Sequence, residues 1–506
     1  MLTPKKFSDM KLFEYRSKHR MSRRRASGRD GARKNTFRRR VQLSQGFVEQ
    51  ASERENALKS PFGGRRRLIA LATWRGFRGM TITLMMVLIP FLGMAQESNK
   101  MKGQPPLDQY LQEAAQNNPE LKANFRQYLS ALQQVPQVNT LPDPELSFGY
   151  FISPIETRVG PQQVRFGLTQ MFPWFGTLGA RGAAATQMAK AKFEAFQDQR
   201  NKLFYEVQKK WYQLYQLDQT IDILQENIDI LETFESVTLQ KYETDQAGQA
   251  DVLRVQIEKE DLKTRLELEK DNRGVAAREF NALLNRQQDQ DVVVVDTLHA
   301  QELSRSEAEL EQAVRQQNPQ LTKTEYEMAS ARSLLKATRK AGMPKFGVGI
   351  DYMVTGDRSM SVTDNGKDAI LARAGIQLPL FRGKYRAQKK QAQIELQAVE
   401  DRREAAANRL QTQLDQALRD YREGQRRIKL YKEVQIQRTR QAIEILTEEY
   451  AAAATDFEEL LRLQRKLLDY ELARDRALVK QNTAIARIEY LYAKYNVNPE
   501  EIESTK

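Results

Sequence analysis

Apolar residues recur along the chain with the alternating three- and four-residue spacing that is typical of a coiled-coil helix. The clearest seam consists of Val207, Trp211, Leu214, Leu217, Ile221, Leu224, Ile228 and Leu231. This pattern predicts a helix over 178–245, which at about 1.5 Å per residue would be on the order of 100 Å long. A second long helix is predicted over 384–453. The chain is therefore expected to be mainly helical, with two unusually long rods.

Shorter helices flank each predicted rod. A short helix over 106–134 precedes the first rod, and a return helix over 249–286 follows it. In the second half of the chain, the corresponding segments are 306–340 and 457–494. A short helix and a return helix together match the length of one rod. Stacked end to end, they would complete a wall of full-length helices.

Four segments of about ten residues alternate apolar side chains with small or polar ones, which is the pattern of a two-faced β-strand. The apolar positions are Leu146, Phe148, Tyr150 and Ile152; Val164, Phe166 and Leu168; Phe346, Val348, Ile350, Tyr352 and Val354; and Ile370, Ala372, Ala374, Ile376 and Leu378. Soluble sheets and membrane β-barrels with a wet lumen share this alternation. The smallest single-chain barrels need about eight strands, so a barrel would have to be shared between copies.

The second half of the chain resembles the first at an offset of about 200 residues. Asn-Pro-Glu-Leu at 118–121 recurs as Asn-Pro-Gln-Leu at 318–321, and Asp-Val-Leu-Arg at 251–254 recurs as Glu-Leu-Leu-Arg at 459–462. Self-similarity that keeps its order indicates a duplicated unit. We predict a first repeat over 96–300, a second repeat over 301–495 and a C-terminal tail over 496–506.

The first 95 residues differ from the rest of the chain. They contain 22 basic and 6 acidic side chains, and an uncharged run from Met80 to Leu92 follows Arg75 and Arg78. A charged flank, an apolar core of about 7–15 residues and small residues before the cut are the marks of a secretory signal. We predict that 1–95 is a basic extension plus signal peptide, cleaved after Ala95. An uncleaved basic tail on a coiled-coil protein is the alternative.

The composition argues against several functional classes. The net charge of +14 arises in the N-terminal segment, because the remainder holds 58 basic and 60 acidic side chains. A near-neutral body argues against nucleic-acid binding, which needs a basic face. The chain has no cysteine and two histidines, His19 and His299, which leaves little material for a metal or acid–base site. We therefore expect no enzymatic activity, no cofactor and no bound metal.

Tyr242 stands nine residues before Asp251, and Tyr450 stands nine residues before Glu459, each pair at a predicted turn between a long helix and a return helix. These two turns, the order of elements and the repeated Asn-Pro motif resemble the TolC-like outer-membrane efflux channel family. The resemblance covers nearly all of 100–495. It implies a mainly α fold with a membrane β part, in which two tandem repeats per chain build a homotrimer. That trimer would form a 12-stranded β-barrel in outer-membrane lipid, continued by a long periplasmic α-helical barrel.

The resemblance also implies a function. Such a protein is a passive channel of a tripartite efflux pump or type I export system, which carries small molecules or metal ions from the periplasm to the outside. Its partners are a periplasmic adaptor protein and an inner-membrane transporter. Asp-Pro-Glu-Leu at 143–146, with Pro-Trp-Phe-Gly at 173–176, is more similar to the heavy-metal branch. An exported coiled-coil scaffold or adhesin stalk is the alternative, which leaves the strands and the duplication unexplained.

The family carries acids near a periplasmic aperture, at the turns between long and return helices. Asp251 and Glu459 match that pattern, and each becomes a ring of three carboxylates under threefold symmetry. The family's second acid is replaced by Arg462, and Arg254 is its equivalent in the first half. This departure suggests arginine–carboxylate latches in place of a cation-binding ring. Solvated coiled-coil charges are the alternative for all four residues.

Three further residues near these turns have expected roles. Tyr242 and Tyr450 occupy equivalent positions, where each is expected either to lock adjacent helices through its hydroxyl or simply to pack. Gly248 is expected to supply the left-handed backbone position that commonly ends a helix.

Overall fold

A computed structural model of the protein describes residues 106–295, 297–359, 363–452 and 455–497. The predicted signal peptide, its cleavage after Ala95, and the predicted tail beyond residue 497 lie outside these residues.

The described residues form long helices and one small sheet. In chain order the elements are α1 (Pro106–Asn117), α2 (Pro119–Asn139), β1 (Glu145–Thr157), β2 (Gly160–Phe172), α3 (Thr177–Glu243), α4 (Gln249–Leu284), α5 (Glu307–Gln317), α6 (Pro319–Ala341), β3 (Lys345–Thr355), β4 (Ala369–Gln377), α7 (Arg382–Lys429), a π-helical segment (Leu430–Gln435), α8 (Ile436–Ala451) and α9 (Phe457–Leu491). The mainly helical prediction with four strands is confirmed. Two helices, two strands, a long helix and a return helix follow one another twice.

Each short helix that was predicted as continuous is in fact two helices, so the predictions over 106–134 and 306–340 are wrong at their centres. Asn118 and Asn318 interrupt them as N-cap residues. The Oδ1 of Asn118 accepts the N–H of Leu121 at 3.0 Å, and that of Asn318 accepts the N–H of Gln320 at 2.9 Å. The following prolines occupy the first helical position, where a missing N–H costs nothing.

Helix α3 is the central rod of the fold. It has 67 residues, and it packs against α2, α4, α6 and α9. The predicted seam faces this packing: six of its residues are buried, and Leu217 and Ile221 are half-buried. The core therefore consists of several apolar clusters that lie one after another along the long helices, as the coiled-coil spacing predicts.

The second predicted rod is continuous but not uniform. Its α-helical parts, α7 and α8, are joined by the π-helical segment Leu430–Gln435. A π-helical turn carries more residues than an α-helical turn. It therefore rotates the apolar seam of α8 relative to that of α7.

The strands form an antiparallel sheet in the order β1-β2-β3-β4. Pairing between β2 and β3 joins the two halves of the chain, with Phe166 opposite Tyr352. The same row continues to Phe148 on β1 and Ile370 on β4. Within the described residues, β1 and β4 each pair on one side only. The sheet therefore has two open edges.

Gly424 marks a close approach of α7 to α9. A Cβ atom at this position would lie 2.8 Å from the Cβ of Gln481 and 3.1 Å from the carbonyl oxygen of Ala477. We expect Gly424→Ala to lower the free energy of unfolding by about 1–3 kcal/mol, because overpacking forces the helices apart. Denaturant unfolding of the purified protein measures this change.

Gly274 in α4 provides the matched control, since an added Cβ there meets open space. Alanine is the better helix former by about 1 kcal/mol, so Gly274→Ala is expected to stabilise the protein slightly. Equal effects of the two substitutions would contradict the close approach at Gly424.

Candidate functional site

The end of α3 and the end of α8 lie side by side at one end of the rods. Lys241, near the end of α3, connects them. Its Nζ donates to the carbonyl oxygen of Tyr450 and lies 4.2 Å from the centre of the Tyr450 ring. The two turns that the duplicated motif predicted as equivalent therefore form one tip.

Asp251 is the third residue of the return helix α4. Its Oδ2 accepts the backbone N–H of Gly248 at 3.3 Å, and its Oδ1 accepts Nη1 of Arg254 at 2.9 Å. A carboxylate at the third helical position that reaches back in this way is half of a capping box. Asp251 therefore stabilises the start of α4, in addition to placing a negative charge at the tip.

Arg254 joins the two return helices at the tip. Its Nη2 lies 3.2 Å from Oε2 of Glu458 on α9. Farther from the turn, Nε of Arg465 lies 2.7 Å from Oε2 of Glu258 and makes a second pair between α4 and α9. Glu458 was not among the predicted site residues, although it directly precedes Glu459.

Glu459 and Arg462 pair with each other on α9, with Nε of Arg462 at 3.1 Å from Oε2 of Glu459. The hydrogen bond from Arg462 lowers the pKa of the Glu459 carboxyl. Both side chains are exposed, so their interaction is local to one helix. Of the two predicted arginines, only Arg254 contacts an acid on the other return helix.

Tyr242 and Tyr450 differ in their surroundings. Tyr450 is buried and packs its ring on Phe457, with ring centres 5.3 Å apart, and burial raises the pKa of its hydroxyl. Tyr242 is exposed. The role of Tyr450 is therefore packing. The two tyrosines occupy equivalent positions in the sequence, but their contacts differ.

The expectation for Gly248 is wrong. Gly248 has an extended backbone with φ −83° and precedes the first residue of α4. The left-handed residue after α3 is Asp245, with φ 57°. Aspartate tolerates this region better than most residues, so the turn does not require glycine at that position.

The sheet carries a second candidate surface. The apolar positions that alternation predicted lie on one face, and that face is uncovered in the chain: Phe148 is 67% exposed and Ile152 is 95% exposed. Other exposed residues of this face are Leu146, Tyr150, Phe166, Leu168, Val348, Ile350, Tyr352, Ile370 and Ile376. Contiguous exposed apolar surface of this kind indicates a protein or membrane contact.

Aromatic side chains extend this surface where strands become helices. Trp174 stacks on Phe346 with ring centres 5.8 Å apart, and Phe175 and Phe381 project outward at the two equivalent junctions. Gly176, with φ 72°, makes the turn into α3. The apolar face of the sheet thus ends in exposed aromatic residues at the start of both long helices.

Within the described ranges, no three His, Asp or Glu side chains are grouped so that they could hold a metal ion. None of the helices described is both long and apolar enough to cross a membrane.

Comparison with known proteins identifies the fold. No protein-family model matches the chain, and no curated protein matches it in sequence at a significant level. Among solved structures, the outer-membrane channel OprN is 18% identical with a TM-score of 0.66, over 77% of this chain and 90% of that one. VceC from Vibrio cholerae is 15% identical with a TM-score of 0.65, over 76% and 96%. The CmeC channel from Campylobacter jejuni is 14% identical with a TM-score of 0.64, over 79% and 88%. The chain has the fold of these outer-membrane channels.

Proposed function

We propose that the protein is the passive outer-membrane channel of a tripartite efflux pump or type I export system and acts as a homotrimer. The observation that carries this proposal is the uncovered apolar face of the sheet. Exposing such a face to water costs a free energy of about 25 cal/mol per Å² of apolar area. Contact with lipid tails avoids this cost. Outer-membrane lipid is therefore the partner that this face fits.

The open edges of the sheet explain why the channel needs several copies. A sheet in lipid must close on itself, because an unpaired backbone group in hydrocarbon costs several kcal/mol. One chain supplies four strands, too few for a barrel. Three copies would supply twelve strands, with β4 of one chain pairing with β1 of the next.

The long helices supply the second part of the channel. Because both strand pairs lead directly into a long helix, a closed barrel of three chains would continue into a tube of helices on the order of 100 Å long. Repetition of the element order supports two tandem repeats per chain. Equivalent contacts support them too, since the Nδ2 of Asn118 donates to the carbonyl of Leu283 and that of Asn318 to the carbonyl of Leu491.

In this arrangement the tip of the helices lies in the periplasm, where an adaptor protein and an inner-membrane transporter would complete the pump. The interfacial position of Phe175 and Phe381 suits an aromatic belt at the membrane surface. A coiled-coil scaffold or adhesin stalk has no use for an uncovered apolar sheet face. The solved structures reported above are channels, which supports a non-enzymatic function. The heavy-metal branch stays a prediction.

Outer-membrane fractionation and planar-bilayer recording test the proposed function. We expect the mature chain in the outer-membrane fraction, as a complex that migrates differently on a gel before and after heating. After reconstitution it is expected to produce discrete conductance steps. Recovery in the soluble fraction, or a bilayer that stays silent, would contradict the channel.

The tip is proposed to hold the channel closed through the Arg254–Glu458 pair. An exposed ion pair contributes roughly 0.2–1 kcal/mol, and threefold symmetry multiplies this contribution. We expect Arg254→Gln to raise the open probability of the reconstituted channel roughly threefold or more. Single-channel recording at low salt gives the comparison, because salt screens exposed charges.

Arg462→Gln is the matched control. It removes the same charge from the same end of the rods but breaks only a contact within α9. It is expected to leave the open probability near that of the unaltered channel. If both substitutions opened the channel equally, net charge at the tip would be the cause, and the latch would be refuted.

A further inference from the structure

The face of the sheet opposite the apolar one, which we call the inner face, carries small residues on all four strands. They are Ser147, Gly149, Gly167, Gly347, Gly349 and Gly375. Charged residues on this face include Glu145, Arg165, Lys345, Asp351 and Arg373. Three of them contact one another across neighbouring strands: Arg165 on β2, Asp351 on β3 and Arg373 on β4. We call them the charged trio.

Both arginines of the charged trio contact the carboxylate of Asp351. The side chain of Asp351 is fully buried, and its Oδ2 lies 3.0 Å from Nη2 of Arg165 and 2.5 Å from Nε of Arg373. Arg373 also donates to Oγ1 of Thr169 at 3.3 Å. A Cβ at Gly167 would lie 2.5 Å from Oδ1 of Asp351, so that glycine makes room for the carboxylate.

The charges of the trio do not cancel. One arginine would neutralise Asp351, which leaves the second. Glu145 and Lys345 on the same face offset each other, so these five residues give each chain a surplus of one positive charge. The arginine side chains remain 38% and 42% exposed on the inner face, whereas the carboxylate is covered. A solute passing this face would therefore meet guanidinium groups first.

We propose that three copies of the trio form a positive ring inside the barrel and that this ring gives the channel a preference for anions. The inference rests on the proposed trimeric channel. Rings of arginine select anions in pores, and a guanidinium binds carboxylate and phosphate groups through paired hydrogen bonds. The favoured cargo carries such a group.

Reversal potentials of reconstituted channels in a KCl gradient test the ring. The unaltered channel is expected to pass chloride more readily than potassium. The combined substitution of Arg165→Gln, Asp351→Asn and Arg373→Gln removes the trio without leaving a lone buried charge. It is expected to bring the chloride-to-potassium permeability ratio to about 1.

Asp351→Asn alone is the second variant. It tests the ring even if the combined variant does not assemble. It leaves both arginines without their carboxylate, so the anion preference is expected to rise above that of the unaltered channel. Lys367→Gln is the control, because it removes one positive charge from the exposed loop before β4. It is expected to change the ratio little.

The outcomes separate the two proposals. If the unaltered protein conducts but its permeability ratio is the same in all variants, the ring is refuted and the channel stands. A trio that served only to brace the sheet would give this result in the variants that assemble. If the unaltered protein forms no conducting pore, the proposed function fails and the ring fails with it.

Discussion

Phe148→Arg is expected to abolish the assembled form of the protein in the outer membrane. Phe148 lies on the uncovered face of β1, in a row that crosses the whole sheet through Phe166, Tyr352 and Ile370. An arginine on the lipid face of a barrel costs about 2–4 kcal/mol at the membrane midplane, and a trimer incurs that cost three times. The intensity of the heat-sensitive band on a gel of the outer-membrane fraction measures how much assembled protein is lost.

Gln377→Arg is the control for this substitution. Gln377 is also exposed on the sheet, but it belongs to the opposite face, in register with Lys345. It is expected to leave the assembled band at normal intensity. Normal assembly of Phe148→Arg would show that lipid does not cover the apolar face.

Asn318→Ala is expected to lower the free energy of unfolding by about 2–4 kcal/mol. Asn318 is fully buried; it caps α6, and its Nδ2 donates to the carbonyl of Leu491 at 2.8 Å. Loss of a cap costs about 1 kcal/mol, and a buried carbonyl without its donor costs about 1–3 kcal/mol more. Thermal or denaturant unfolding of the purified protein measures the sum.

Asn118→Ala should have a similar effect, because Asn118 caps α2 and donates to the carbonyl of Leu283 at 2.9 Å. Asn124→Ala is the control, since Asn124 only bonds back to the carbonyl of Glu120 on its own helix. Alanine is the better helix former there, so no loss is expected. If all three variants had the same free energy of unfolding, the caps and long-range hydrogen bonds of Asn118 and Asn318 would not stabilise the fold.

Much of this fold could be predicted from the spacing of apolar residues. The long helix predicted over 178–245 is Thr177–Glu243, and the return helix predicted over 457–494 is Phe457–Leu491. These elements bury a continuous seam, which leaves a clear periodic signal. The break at Asn118 combines an N-cap residue with a following proline, which is a sequence signal for the start of a new helix.

The contacts within the candidate site were less predictable. The pair of Arg254 with Glu458 depends on how two return helices, about 200 residues apart in sequence, are rotated against each other. The charged trio depends on strand register, because Arg165 and Asp351 meet only through the pairing of β2 with β3. Their alternation with apolar neighbours predicts that these residues lie on the polar face, but their contacts are set by the pairing of the strands.

The mass of the native complex tests the central claim most directly. We propose that three chains pool their strands into one barrel, so native mass spectrometry of the protein extracted from the outer membrane should give three times the mass of the mature chain. Heating should convert this species to single chains. A monomer that stays in solution without detergent would contradict the shared barrel, and so would a complex of two chains.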